Sequence, residues 1–150
     1  MPIPDLTPFG VLPVGRHDCT LEEIEAAYTA TDHRRALWGD LRGFLAWVDP
    51  QPKPTSIYFD GSFTSDKTTP SDIDVVFDLD GCDNATRNHW LIVFATQQPA
   101  IKRDYRVDFW VYFPGMPNDL RAFFAYVRPE EAIKRGMGPG DLKGLLRVAP

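Results

Sequence analysis

Asp72-Ile73-Asp74-Val75 sets two carboxylates two positions apart at the head of an apolar run that continues through Val76 and Phe77. In a β-strand, residues i and i+2 share a face. Asp72 and Asp74 are therefore predicted to project together, with Ile73 and Val75 on the other side. Before it, separated by nine residues, the apolar segment Ile57-Tyr58-Phe59 runs into Asp60-Gly61-Ser62. Two convergent carboxylates beside a Gly-Ser turn can hold magnesium and let backbone N–H groups approach a phosphate. Phosphoryl or nucleotidyl transfer is the chemistry this combination implies.

The rest of the composition narrows the setting. A chain of 150 residues fits one domain. Hydrophobic residues make up 43%, with ten Phe, five Tyr and four Trp, so a core needs no covalent staples. The two cysteines, Cys19 and Cys82, do not make a disulfide framework, and a reducing cytoplasm is expected. A net charge of −5 argues against nonspecific binding of duplex DNA, which needs clustered Lys and Arg. It leaves a nucleotide substrate open, because a bound cation reverses the local sign of an acidic site. Met1 to Pro13 is punctuated by proline and carries Asp5, so a signal peptide is not expected. No apolar run approaches the roughly 18 residues of a membrane span.

Along the chain, residues 1–15 read as an extended arm and 16–49 as a helical part. Thr20 and Glu23 form a capping box ahead of a stripe of Leu21, Ile24 and Tyr28. A second helix is predicted from Asp32, with Leu37, Leu41, Phe44, Leu45 and Val48 at helical spacing, and Pro50 stops it. Residues 55–150 read as the core. Strands are predicted at 56–60, 72–78 and 106–113, with a polar loop from Phe63 to Ser71. A third helix is capped by Asp83 or Asn84 and runs to about Gln97. Leu120, Phe123, Phe124 and Val127 predict a short helix, and Glu130 to Arg135 a further helical turn. Leu142 to Val148 closes the chain as strand or helix.

The third strand carries Val107-Asp108-Phe109-Trp110, one carboxylate among apolar residues. An unpaired buried charge is costly. Arg103 or Arg106 could pair with it. A metal ion shared with Asp72 and Asp74 is the other solution. Two ions about 3.5–4 Å apart can clamp the attacking and leaving oxygens of an in-line displacement.

Gly61-Ser62, the gap of nine residues, Asp72-Ile73-Asp74-Val75 and the later Asp108 resemble the pattern of the nucleotidyltransferase-fold superfamily. That superfamily includes DNA polymerase beta, the CCA-adding enzymes and the minimal nucleotidyltransferases. The resemblance covers Ile57 to Phe113. It implies an α+β fold, with a small mixed β-sheet nucleotidyltransferase core and N-terminal helices packed against it. It also implies a nucleoside triphosphate substrate and two Mg2+ or Mn2+ ions held by Asp72, Asp74 and Asp108. Gly61 and Ser62 would bind the β- and γ-phosphates. More narrowly, Leu12-Pro13, Gly15, Thr20 to Glu23, His33-Arg34-Arg35, Phe59-Asp60-Gly61-Ser62-Phe63 and Lys143-Gly144 resemble a small bacterial and phage-borne family within that superfamily. That family has no established reaction.

Other residues have weaker claims. Lys67 lies in the loop between the turn and the Asp pair, as a triphosphate contact or a surface lysine. Lys143 matches the narrower family's Lys-Gly position, which implies a phosphate contact. Lys102, Arg103 and Arg106 either steer an acidic substrate or pair with nearby Asp residues. Asp60 and Asp78 read as turn and surface residues, and His17, His33 and His89 as surface or core. Gly136 to Gly140 lacks the Gly-Lys-Ser/Thr end of a Walker loop.

The expected function is magnesium-dependent transfer of a nucleoside monophosphate to a hydroxyl of a protein, a tRNA or a small molecule. The alternative is an antitoxin or regulatory binding module of this fold in a defence or toxin–antitoxin cassette, with the toxin as partner.

Overall fold

The computed structural model describes residues 3–116, 127–138 and 140–150. Its fold is α+β: a five-stranded mixed sheet with helices against one face. None of the helices in these residues is long and apolar enough to cross a membrane.

The helices start where side chains can satisfy their first N–H groups. Helix α1 (Leu21–Tyr28) opens on the expected capping box. Thr20 Oγ1 accepts from the Glu23 N–H at 3.1 Å, and the Glu23 carboxylate accepts from the Thr20 N–H at 3.0 Å. Thr31 caps α2 (Asp32–Val48), and Asp83 caps α3 (Asn84–Tyr105). Helix α3 runs through Pro99 to Tyr105, well past its expected end at Gln97. Proline removes one helical hydrogen bond. Packing offsets the loss, because Ile101 is buried and the Tyr105 ring lies 5.9 Å from that of Phe44. Arg106 then stops the helix in a left-handed conformation (φ 51°), donating its N–H to the Lys102 carbonyl.

The strands are β1 (Arg16–Asp18), β2 (Ser56–Asp60), β3 (Ile73–Asp78), β4 (Val107–Tyr112) and β5 (Leu145–Val148). Their order is β1-β5-β2-β3-β4. Strand β2 pairs antiparallel with β3 and β5; β3 and β4 are parallel, with α3 as the crossover that parallel pairing demands. Strand β1 was not expected, since residues from 16 onward read as helical. It forms only by pairing with β5 at the far end of the chain. Asp72 lies just ahead of β3 rather than inside it.

Alternation divides the sheet. Ile57, Phe59, Val75, Phe77, Val107, Phe109 and Val111 face the helices, and Phe44 of α2 and Trp90 of α3 both touch Phe77 and Phe109. Tyr58, Val76 and Leu145 form a separate cluster with Trp110 and Tyr112. Near the C-terminus a short helix, α4 (Pro129–Arg135), carries Ala132, which packs with Val11, Val127 and Met137. The short helix expected from Leu120 to Val127 lies, but for Val127, outside the described residues.

Candidate functional site

Strand register assembles the site. Asp74 of β3 stands beside Asp108 of parallel β4 and beside Asp60 of antiparallel β2. Asp72 follows the loop into β3. One carboxylate oxygen from each of Asp72, Asp74 and Asp108 lies within 4.8 Å of the others. The structure therefore brings together the three carboxylates that the sequence singles out. Arg103 and Arg106 do not neutralise Asp108: Arg103 pairs with Asp104 at 3.0 Å and Arg106 with Asp40 at 2.7 Å. Lys102, from α3, does turn to the cluster, with Nζ 3.4 Å from Asp72.

Asp60 corrects the sequence reading. It is not a surface residue but 2% exposed, and its counter-charge is Lys143, 3.3 Å away. The available signal was the alternation of β2, which sends Tyr58 and Asp60 to the face opposite Ile57 and Phe59. Asp78 is also buried, at the far end of β3, where its carboxylate accepts the Asp80 N–H at 3.0 Å.

Gly61 follows directly, at φ +83°. A Cβ there would collide with the Asp74 carboxylate, so only glycine fits the turn. Ser62–Thr64 then forms a single 3-10 turn. These residues border a cleft of about 500 Å3. Gly61, Ser62, Lys67, Asp72, Asp74, Asp108 and Lys143, all predicted as site residues, line it. Val11 of the arm, Ser65, Lys102, Trp110 and three charged residues at or in α4 (Arg128, Glu131 and Arg135) line it as well. Lys67 is exposed at the rim. The histidines are engaged in structural bonds: His17 with the Pro13 carbonyl, His33 with the Pro70 carbonyl and His89 with Gln51.

Crowded carboxylates in a desolvated pocket resist ionising together. Burial, then repulsion from Asp72, Asp108 and Asp60, pushes Asp74 up to about 8, with Lys143 offsetting only part. Burial pushes Asp60 up to about 6 against the pull of Lys143 and the Gly61 N–H. Asp108 first, then Asp72 and Asp74, holds the Lys102 ammonium above its ordinary value. The donors of the triad are all hard oxygens, with excess negative charge, which suits Mg2+ or Mn2+ rather than a thiophilic metal.

A family model described as Family of unknown function (DUF6932) matches residues 4–148. No curated protein and no solved structure matches the chain.

Proposed function

The chain belongs to that family of unknown function, and from its cleft we propose that it is a divalent-cation-dependent nucleotidyltransferase. The observation that carries this reading is the convergence of Asp72, Asp74 and Asp108 across the β3–β4 pair, beside the Gly61-Ser62 turn.

Each residue has a task in that reaction. Asp72 and Asp74 hold the cation that accompanies the triphosphate, and Asp108 joins them for the ion on the acceptor side. When bound, such ions neutralise charge on the reacting phosphoryl group and make the acceptor hydroxyl easier to ionise. Gly61, without a Cβ, lets the β- and γ-phosphates come close to the backbone, and Lys67 and Lys143 supply positive charge at the rim and floor. The acceptor oxygen forms its bond to the α-phosphorus as the α–β bridge breaks. Its proton passes to Asp108, and pyrophosphate leaves. Catalysis here is mostly positioning and preorganised charge. The thiols of Cys19 and Cys82 are both free.

The test incubates the protein with each of four α-labelled nucleoside triphosphates, Mg2+ or Mn2+, cell extract and total tRNA. Label is expected in one acceptor fraction, and Asp72→Asn or Asp74→Asn should abolish it. Full transfer by either variant would reject the reading. A partner captured equally by wild type and both variants, without label, would point to the binding-module alternative.

A further inference from the structure

Lys102, in the last turn of α3, lines the cleft. A cation at that position suits the negative end of a helix dipole, and Arg103 beside it pairs with its own neighbour, Asp104. Lys102 instead crosses to the carboxylate cluster, with Nζ 3.4 Å from Asp72 Oδ2. Asp108 is the largest single influence on that ammonium, with Asp72 and Asp74 behind it and burial opposing. A second lysine stands at the other side. Lys143 Nζ lies 3.3 Å from Asp60, which is in register with Asp74. Lys143 is also the cation that acts on Asp74. The two lysines divide the cluster: Lys143 serves the Asp60–Asp74 half and Lys102 the Asp72–Asp108 half.

Charge balance limits how many ions such a cluster takes. Asp60, Asp72, Asp74 and Asp108 carry four negative charges when ionised, and Lys102 and Lys143 return two positive ones. One divalent cation balances the remainder. A second, with no substrate bound, leaves excess positive charge in a partly desolvated pocket, which is costly. Arg135 does not alter the balance, since Asp66 and Glu131 hold it. Lys67 and Arg128 are exposed, where water and salt screen them. The two paired lysines differ in freedom. The Lys143 side chain is 17% exposed and tied to a buried partner. That of Lys102 is 55% exposed on a flexible four-carbon stem, so it can swing away. A triphosphate brings the negative charge that makes room for a second ion.

We propose that Lys102 is a built-in cation on the acceptor side of the cluster: the free protein takes one divalent ion, and a second enters only by displacing the Lys102 ammonium from Asp72. The inference rests on the nucleotidyltransferase reading above and adds to it the order in which the ions load. Lys102 thereby ties loading of the acceptor side to the arrival of the triphosphate.

Mn2+ titrations at pH 8, with free Mn2+ read by electron paramagnetic resonance, test it. Wild type without nucleotide should bind one ion, with any second at least about tenfold weaker. Lys102→Met should bind a second ion about tenfold more tightly than wild type does. Lys102→Arg, which keeps the charge, should match wild type, and so should Arg103→Met, on the neighbouring exposed residue. Thermal melting checks that each variant folds. Wild type with two ions of equal affinity overturns the proposal even if Lys102→Met fails to fold. So does a folded Lys102→Met with the wild-type isotherm, which leaves Lys102 an ordinary ion pair at a helix end. Either control behaving as Lys102→Met overturns it too. Wild type that binds Mn2+ only together with an α,β-methylene nucleoside triphosphate overturns it and leaves the nucleotidyltransferase reading standing. No Mn2+ bound, with or without any of the four such analogues, rejects both.

Discussion

Asp74 occupies the space that a side chain on Gly61 would need. Asp74 lies in β3, and Gly61 directly follows antiparallel β2, whose last residue, Asp60, is in register with Asp74. The turn and the carboxylate therefore depend on each other. Gly61 has φ +83° and ψ −159°, a region nearly closed to other residues. Gly61→Ala is expected to cost about 1–3 kcal/mol in backbone strain alone. It should also displace Asp74 and weaken Mn2+ binding. Gly39→Ala, in α2 with open space around its Cα, should leave Mn2+ binding alone and add about 0.5–1 kcal/mol of stability. Denaturant melts and Mn2+ titrations of the two variants check this; a Gly61→Ala protein as stable as wild type would contradict it.

Lys143 is the counter-charge of a buried carboxylate. Removing one partner of such a pair leaves the other desolvated and alone. Lys143→Met should destabilise the protein by about 3 kcal/mol. Adding Asp60→Asn in the same chain should restore most of the loss, because no charge is then stranded. A double variant no more stable than Lys143→Met would show that Asp60 is not what Lys143 holds.

The same crowding makes stability depend on pH. Asp74 at about 8 and Asp60 at about 6 both lie above the carboxylate range of an unfolded chain. The folded state therefore binds their protons more tightly than the unfolded state does. Their contribution is fully present below about pH 4 and is lost as pH rises through about 6 and 8. In EDTA, the melting temperature should fall between pH 5 and pH 8. Mg2+ should raise it more at pH 8, where fewer protons compete for the carboxylates. A metal-free melting temperature that climbs steadily across this window would count against the crowded site.

Much of this was legible because it is written in local periodicities. The capping box at Thr20 and Glu23, the stripe of α2 and the alternation of β3 each lie within a few residues. Strand alternation also placed Asp72 and Asp74 on one side, and a lone Asp108 among apolar residues pointed to the third carboxylate of the cluster. What escaped depends on distant partners. Strand β1 exists only because β5 pairs with it, and no pattern inside Arg16-His17-Asp18 signals a strand. Helix α3 passes Pro99 because Ile101 and Tyr105 pack on the core, which outweighs a single lost hydrogen bond. Asp60 read as a turn residue because it precedes glycine; Lys143, the counter-charge that accompanies it into the interior, is more than eighty positions away in the chain. Arg34 belonged to a recognised motif, but its bonds to the carbonyls of Phe63, Ser65 and Lys67 are visible only in the fold.

Asp74→Asn separates function from stability. Asp74 is nearly enclosed, and the repulsion of Asp72, Asp108 and Asp60 acts on it. The β3 backbone is held by its register with β2 and β4. Removing the charge relieves a strained site, a common way for natural proteins to trade stability for activity. In EDTA at pH 8 the variant is expected to be more stable than wild type by about 1 kcal/mol. Nucleotide transfer should fall by at least about a hundredfold, as when other preorganised charge is removed. Phe77→Ala should do the opposite for stability. It empties the space between Phe44, Trp90 and Phe109, at a cost of about 3–5 kcal/mol. Urea melts paired with the labelled-nucleotide assay decide the matter. An Asp74→Asn protein that is less stable than wild type would show a carboxylate kept for the fold, not for a cation and its substrate.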